Sequence, residues 1–241
     1  MLILAFDTTN EFGGAGLYRD EAPLDEAPNV VGPSGPERAS YSVTLFEMVE
    51  KLLASSRMSL RDVELFAVAN GPGSFTGIRV GVAAAQGWAM AFGRPVRGVS
   101  VLEAMVEAAR PETEFAAALL DARRGELFIG AFRATPDGRA RRFVPIAEGR
   151  AMRPEDIPGR LESEYPDLGQ VTLVARESDL AARGLRASLP KGAAWRTVEG
   201  SVVSSIARLG LEAARRGELQ SPAELDAYYI RRSDAELHWR S

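Results

Sequence analysis

Two short apolar segments that each end in an aspartate constrain the fold of this chain more than any other feature of its sequence. Leu2–Phe6 runs directly into Asp7, and Phe115–Leu120 runs directly into Asp121. Each aspartate is followed by turn-forming residues and then by a second segment of strand character. Short apolar runs bounded by turn residues are typical of buried strands. The recurrence predicts a weak internal repeat, so we expect two related halves.

Strand and helix patterns alternate along the rest of the chain, which indicates an α/β fold. Further strands are predicted at 65–69, 96–99 and 171–175, and helices at 38–53, 76–92, 102–109 and 202–216. Residues 20–37, rich in proline, glycine and acidic side chains, are expected to form an exposed loop or arm. Residues 135–170 are expected to be mostly irregular. We assign 1–103 together with 201–241 to a first subdomain and 104–200 to a second, more degenerate one.

The composition excludes several classes of site. The 241-residue chain has no cysteine, so disulfides, thiol catalysis and zinc–thiolate sites are ruled out. Its one histidine, His238, leaves no paired-imidazole metal site and no Ser-His-Asp triad unless the terminus supplies the base. A net charge of −4 argues against nucleic-acid binding by this chain alone. Without a signal peptide or an apolar run near the roughly 18 residues of a membrane span, we expect a cytoplasmic protein with no membrane contact.

Glycines crowd the segment between the predicted strand 65–69 and the helix that follows it. Two interpretations are open: the segment cradles a phosphate, or it lets two backbones pack closely. The spacing of Gly71, Gly73 and Gly77 fits neither a Walker loop, which needs a lysine, nor the dinucleotide fingerprint, which is one residue shorter. Backbone N–H groups at the start of the helix could still hold an anion.

The packing interpretation is favoured because it explains more of these residues. Ser74 is placed to cap the helix, and Gly77, Gly81 and Ala84 leave a stripe with little side chain. Glycine inside a helix costs about 0.5–1 kcal/mol relative to alanine, and close approach of another backbone would offset that cost. The preceding helix adds a wide apolar face, formed by two adjacent stripes. These are Tyr41, Leu45, Met48 and Leu52, and Ser42, Phe46, Val49 and Leu53.

Several segments of this sequence resemble, in the same order, motifs of the TsaB family, also called YeaZ. They are residues 3–9 (ILAFDTT), 71–81 (GPGSFTGIRVG), 98–103 (GVSVLE) and 121–126 (DARRGE). The segment Tyr229-Ile230-Arg231 is similar to the Tyr-Leu-Arg ending of the family. The resemblance runs over the whole chain, although it is thin between 135 and 200.

The resemblance implies an actin-like fold, shared with sugar kinases and chaperone ATPases and built from two duplicated subdomains. It also implies a part in making threonylcarbamoyladenosine beside the anticodon of tRNA. In the family, TsaB pairs with a metal-bearing catalytic paralogue, TsaD, and a TsaE ATPase completes the bacterial complex. The paralogue's His-x-x-x-His motif has no counterpart here, where residues 98–105 read GVSVLEAM. We therefore expect a non-catalytic scaffold without a cofactor, which activates TsaD, meets tRNA through the complex and forms a homodimer when alone.

The resemblance also implies where the partner binds, since the glycine-rich helix and the helix before it form that surface in the family. The expected interface residues are Tyr41, Leu45, Phe46, Met48, Val49, Leu52, Ser74, Phe75, Thr76, Gly77, Val80, Gly81, Ala84 and Trp88. A degenerate nucleotide site is expected at Asp7, Thr8, Thr9 and Asp121. The alternative function is a weak nucleotide-binding ATPase or kinase of the same fold, with Asp7 and Asp121 around magnesium. A protease is a third possibility, for which the chain has little chemistry.

Overall fold

The structure is a computed structural model that describes residues 1–28, 41–137, 140–165, 167, 170–178 and 194–231. It divides into two compact units, each built on one sheet. The first unit is Met1–Ala104 with Gly200–Tyr229, and the second is the described part of Met105–Glu199 and Ile230–Ser241.

The strands and helices of the described residues follow in chain order. The strands are β1 Leu2–Asp7, β2 Gly14–Arg19, β3 Ala22–Pro28, β4 Leu65–Gly71, β5 Val96–Ser100, β6 Phe115–Asp121, β7 Leu127–Asp137, β8 Ala140–Pro145, β9 Arg150–Met152, β10 Val171–Ala175 and β11 Ala194–Thr197. The helices are α1 Tyr41–Ser55, α2 Phe75–Phe92, α3 Val101–Ala109, α4 Ile157–Glu164 and α5 Val203–Arg216. Among these helices, none is both long enough and apolar enough to cross a membrane.

Five strands of each sheet follow the same order, and β9 pairs with β7 as a sixth strand of the second sheet. The shared order is β3-β2-β1-β4-β5 in the first unit and β8-β7-β6-β10-β11 in the second. The leading strands, β1 and β6, each pair antiparallel with the strand that follows and parallel with β4 or β10. The repeat of two aspartate-ended strands is therefore a repeat of a whole sheet. The expected α/β class with duplicated halves is confirmed.

Helices cover both faces of the first sheet. Leu4, Phe6 and Phe66 share a core with the apolar residues of α1 and α2. On the opposite face α5 lies so close to β4 that a Cβ added to Gly210 would be 3.0 Å from the Cβ of Ala67. Because β1 is buried along its whole length, its sequence is a continuous apolar run rather than an alternating pattern.

The second unit has its own, smaller core beside α4. Ile157 and Leu161 of this helix are buried against apolar residues of β6, β7 and β10. The hydroxyl of Tyr165, just after α4, donates a hydrogen bond of 2.9 Å to the carbonyl oxygen of Ala116. Burial raises the pKa of this hydroxyl, so it remains a neutral donor at physiological pH.

Several segments differ from what the sequence predicts. Residues 22–28, expected in an exposed loop, form the edge strand β3, while 29–37 and the start of the predicted helix at 38–40 lie outside the described residues. Residues 135–170, expected to be irregular, hold the end of β7, two further strands and α4. Residues 201–241 are assigned to the first subdomain from the sequence, whereas the first unit of the structure ends at Tyr229. Arg231 belongs to the second unit, where it pairs with Glu126 at 2.9 Å.

Candidate functional site

The aspartate at the end of β1 is buried, and its carboxylate accepts hydrogen bonds from the turn that follows it. Asp7 Oδ1 accepts hydrogen bonds from the backbone N–H of Thr9 at 2.8 Å and from its hydroxyl at 2.7 Å. Asp7 Oδ2 accepts a hydrogen bond of 3.1 Å from Nδ2 of Asn10. The hydroxyl of Tyr41, in the first turn of α1, donates to the carbonyl oxygen of Asn10 at 2.6 Å. An aspartate that binds the backbone two residues further on forms an Asx turn, and here that turn is also fastened to α1.

The glycine stripe of α2 packs against this loop. The Thr8 hydroxyl donates a hydrogen bond of 2.7 Å to the carbonyl oxygen of Gly77. A Cβ added to Gly77 would overlap the Thr8 carbonyl oxygen, and one added to Gly81 would lie 2.5 Å from the Thr8 hydroxyl oxygen. Both positions are glycine because the helix and the loop approach too closely for a side chain. The packing interpretation is confirmed, and the second backbone belongs to the same unit.

The glycines before α2 also meet backbone atoms. Gly71 has φ of +128°, a conformation that favours glycine, and a Cβ there would overlap the carbonyl oxygen of Tyr228. A Cβ added to Gly73 would lie 2.6 Å from the carbonyl oxygen of Thr9. Ser74 caps the helix as predicted, since its hydroxyl oxygen accepts a hydrogen bond of 3.3 Å from the N–H of Gly77. The cap therefore occupies one of the N–H groups that an anion would need.

The second aspartate repeats the turn in the second unit. Asp121 Oδ1 accepts a hydrogen bond of 3.0 Å from the backbone N–H of Arg123, again two residues further on. Arg123 and Arg124 have φ of 62° and 54°, in the left-handed region that other residues than glycine rarely adopt. Asp7, Thr8 and Thr9 thus share one closed loop of the first unit, and Asp121 serves a turn of the second. Within the described ranges, no three histidine, aspartate or glutamate residues cluster as metal ligands.

Part of the expected partner interface faces the core of the first unit, and that part of the prediction is wrong. The buried residues are Leu45, Val49, Leu52, Gly77, Gly81 and Ala84. The periodic apolar stripe of α1 is the stripe that packs on the sheet, because burial of that stripe is what holds the helix in place. The small residues of α2 are occupied by the loop after β1.

The other expected interface residues are exposed or partly exposed. They are Tyr41, Phe46, Met48, Ser74, Phe75, Thr76, Val80 and Trp88. The Trp88 ring contacts Phe6 in the core with a centroid distance of 5.6 Å and Phe46 on α1 at 5.5 Å, edge-to-face in both pairs. Half of Phe46 remains exposed. A row of aromatic rings therefore connects the core to the outer side of α1.

The structure adds exposed apolar residues that the sequence pattern missed. Val43 on α1 is 58% exposed and Met90 on α2 is 72% exposed. Gly87 is also exposed, and a Cβ added there would meet nothing within 4 Å. The helical spacing of small and apolar residues on the outer side of α2 is the sequence pattern that could have identified them. We call this surface the α1–α2 face; it comprises Val43, Phe46, Val80, Ala83, Gly87 and Met90.

The α2 part of this face carries almost no charge. Arg79 is the one charged residue among the 18 residues of α2. The outer side of a surface helix in a globular protein is ordinarily charged or polar. Large apolar side chains that are exposed on neighbouring helices are typical of a contact surface. On α1, Glu47 and Glu50 lie one helical turn from Val43 and Phe46, so acidic side chains border the apolar ones there.

The segment 220–229 fixes α2 to the ends of the neighbouring strands. Gln86 of α2 donates from Nε2 to the carbonyl oxygens of Pro222 at 3.2 Å and Leu225 at 2.9 Å. The backbone N–H of Tyr228 donates to the carbonyl oxygen of Asn70, at the end of β4, at 2.7 Å. This segment therefore sets the position of the helix that presents most of the α1–α2 face.

Comparison with known proteins relates the sequence to one family. A family model described as "TsaD: tRNA N6-adenosine threonylcarbamoyltransferase" matches residues 33–141. The chain is 28% identical over 213 residues to the tRNA threonylcarbamoyladenosine biosynthesis protein TsaB of Escherichia coli. This match covers 79% of this chain and 85% of that protein. It is 33% identical over 132 residues to the TsaB protein of Bacillus subtilis, and this match spans 55% of each chain. The chain thus matches about half the length of the latter relative.

The solved structures agree with this relation at the level of the fold. YeaZ from Pseudomonas aeruginosa has a TM-score of 0.71 and 24% sequence identity, and the superposition covers 94% of this chain and 99% of that one. At this identity the likeness shows the fold alone. The residues matched by the family model include the glycine-rich start of α2 and the turn at Asp121. The chain is therefore similar to TsaB proteins in sequence and to YeaZ in fold.

Proposed function

We propose that this chain is a non-catalytic subunit of the complex that makes threonylcarbamoyladenosine next to the anticodon of tRNA. In this proposal the α1–α2 face binds a TsaD-type subunit and holds it in its active conformation. The observation that carries the proposal is the exposed, nearly uncharged apolar surface of α1 and α2. The choice of reaction is supported by the sequence matches to TsaB proteins and to the TsaD family model.

The composition of the α1–α2 face supports a protein partner. Met90, Phe46 and Val43 are large apolar side chains that each expose at least half of their surface. Such residues are enriched in the cores of protein interfaces, where charge is depleted. Gly87 has no internal neighbour that requires a glycine, although glycine in an exposed helix costs about 0.5–1 kcal/mol relative to alanine. Close approach of a partner helix accounts for it.

The same face serves self-association when the TsaD-type subunit is absent. A surface that pairs with its own copy does so around a two-fold axis, which needs only that the patch be self-complementary. The homodimer and the heterodimer then compete for one surface. A TsaE-type ATPase and tRNA meet this chain through the assembled complex.

The polar motifs of the chain support a non-catalytic role. The Asp7 carboxylate is engaged by Thr9 and Asn10 of its own turn. Asp121 is engaged in the same way by Arg123. At 98–105, where β5 passes into α3, the sequence holds no histidine for a metal. These local hydrogen bonds support a role in binding rather than in chemistry.

The experiment is a binding titration of the whole chain with the TsaD-type subunit of the same organism. Met90→Asp and Phe46→Asp are expected to weaken binding by at least about tenfold, because a carboxylate would be buried in the apolar interface. Ile146→Asp is the matched control: Ile146 is 43% exposed and belongs to the second unit. This control should bind as tightly as the unaltered chain.

Modification of tRNA tests the functional part of the proposal. The TsaD-type subunit, supplied with threonylcarbamoyl-adenylate and TsaE, is assayed with the unaltered chain, with Met90→Asp and without the chain. We expect full modification only with the unaltered chain. Modification by this chain alone would refute the non-catalytic role. Normal binding and modification with Met90→Asp would refute the assignment of the α1–α2 face.

A further inference from the structure

We propose that Arg79 determines partner specificity by pairing with a carboxylate of the partner protein at the rim of the α1–α2 face. This inference rests on the proposed function, because it assumes that a protein docks there. It adds a role for Arg79, which is not one of the apolar residues of the α1–α2 face. It also specifies the chemical group that the partner must supply, a carboxylate. The pairing needs Phe75 and Tyr229 as positioning residues.

Two aromatic rings hold the Arg79 side chain in place. Its guanidinium carbon lies 3.8 Å from the centroid of the Phe75 ring, one helical turn earlier on α2. Its Nε donates a hydrogen bond of 3.2 Å to the hydroxyl of Tyr229. The rings of Phe75 and Tyr229 are themselves in contact, with centroids 5.0 Å apart. The side chain is thus oriented by a ring contact and a hydrogen bond before any partner arrives.

The outer end of the guanidinium remains available. Arg79 is exposed, and its terminal nitrogen atoms have no hydrogen-bond partner among the residues that the structure describes. These two NH₂ groups form the planar fork that binds a carboxylate with two parallel hydrogen bonds. An arginine that is already oriented loses less conformational entropy on binding than a free one. The arrangement favours a specific, bidentate contact over general attraction.

The surroundings favour a protein carboxylate over an RNA phosphate. Arg79 is the one charge of α2, and its exposed neighbours one turn away, Thr76 and Ala83, are uncharged. Binding to RNA at physiological salt needs several cations that release counterions together. A single arginine beside aromatic and apolar side chains is the composition of a protein interface.

The test measures the dissociation constant of the whole chain for the TsaD-type subunit. Arg79→Ala is expected to raise it roughly 10- to 100-fold, the value of a charge-assisted bidentate contact. Arg79→Lys should restore little of the loss, because an ammonium keeps the charge but has no planar fork. Arg61→Ala is the matched control, since Arg61 also lies over a phenylalanine ring, that of Phe92, at 5.6 Å. The control should stay within about twofold of the unaltered chain.

A double-mutant cycle tests the positioning role of Tyr229. Tyr229→Phe keeps the ring contact with Phe75 and removes the hydrogen bond to Arg79, so binding should weaken roughly 2- to 10-fold. In the Arg79→Ala background the same substitution should have no further effect, because the two residues act through one contact. An equal loss in both backgrounds would show that Tyr229 acts on the fold and would overturn its assigned role.

The outcomes separate this inference from the proposed function. Unchanged binding by Arg79→Ala, together with loss of binding by Met90→Asp, would overturn the role of Arg79 and leave the docking face intact. Absence of binding by the unaltered chain would refute the proposed function itself. A filter-binding assay with tRNA alone measures the affinity of the unaltered chain and of Arg79→Ala for RNA. A loss of tRNA binding by Arg79→Ala without a loss of subunit binding would overturn the carboxylate assignment in favour of RNA.

Discussion

The hydroxyl of Thr8 donates a hydrogen bond of 2.7 Å to the carbonyl oxygen of Gly77, which ties the loop after β1 to the first turn of α2. Both residues are buried. A helical carbonyl oxygen has a second lone pair beside the one used by the N–H four residues on, so the threonine adds a bond without removing one. The helix that presents the proposed docking face is therefore anchored at the loop after β1.

The substitution Thr8→Val tests this anchor. Valine keeps the branched shape of threonine but cannot donate, so we expect the free energy of unfolding to fall by about 1 kcal/mol. Thr76→Val, at an exposed position of α2, is the matched control and should change it by less than about 0.5 kcal/mol. Urea unfolding followed by circular dichroism measures both. Equal stability of the two variants would mean that the Thr8 bond contributes nothing.

Two glycines of α2 give opposite predictions for one substitution. Gly81→Ala should lower the free energy of unfolding by about 1–3 kcal/mol, because the added Cβ would lie 2.5 Å from the Thr8 hydroxyl oxygen. Gly87→Ala should raise it by about 0.5–1 kcal/mol, since a Cβ there meets nothing within 4 Å and alanine favours the helix.

Binding to the TsaD-type subunit completes the comparison of these glycines. Gly87→Leu should keep the fold and weaken binding, because the side chain would block close approach at the α1–α2 face. The same leucine at position 81 would disrupt the unit itself and report nothing about the partner. If Gly87→Leu binds normally, the exposed glycine has no part in docking.

Much of the fold could be predicted because the decisive signals are local. β1 and β6 are unbroken apolar runs that end at an aspartate, and burial on both faces of a sheet produces that pattern. The edge strand β3 could not be found in this way. Its sequence, Ala22–Pro28, contains two prolines and two acidic residues, which a strand tolerates only at an edge. The pairing with β2 that makes it a strand is a tertiary contact.

The candidate site was harder to predict because periodicity does not reveal what covers an apolar stripe. Leu45 and Val49 belong to the strongest stripe of α1, and the sheet covers that stripe. Phe46 and Val43 lie on the outer side, where nothing in the sequence distinguishes them from core residues. The spacing of Gly77 and Gly81 correctly indicated close backbone approach. That the approaching backbone is Thr8, almost 70 residues earlier, follows only from the fold.

The last prediction concerns the alternative function, a nucleotide-binding enzyme. The carboxylate of Asp7 accepts three hydrogen bonds from Thr9 and Asn10, and Thr8 is closed off by α2. A nucleotide would have to break these contacts before its phosphates or a magnesium ion could bind. We therefore expect 1 mM Mg-ATP to leave the Tm of the whole chain unchanged in a thermal-shift measurement.

A site with a dissociation constant of about 10 µM would give a clear signal under the same conditions. Ligand at about 100 times the dissociation constant stabilises a protein by about 2.7 kcal/mol, which in a chain of this size raises Tm by roughly 5–10 °C. Asp7→Asn provides the control, because a real site would lose the shift when the carboxylate is removed. A shift present in the unaltered chain and absent from Asp7→Asn would establish the nucleotide site and require the loop to open in solution.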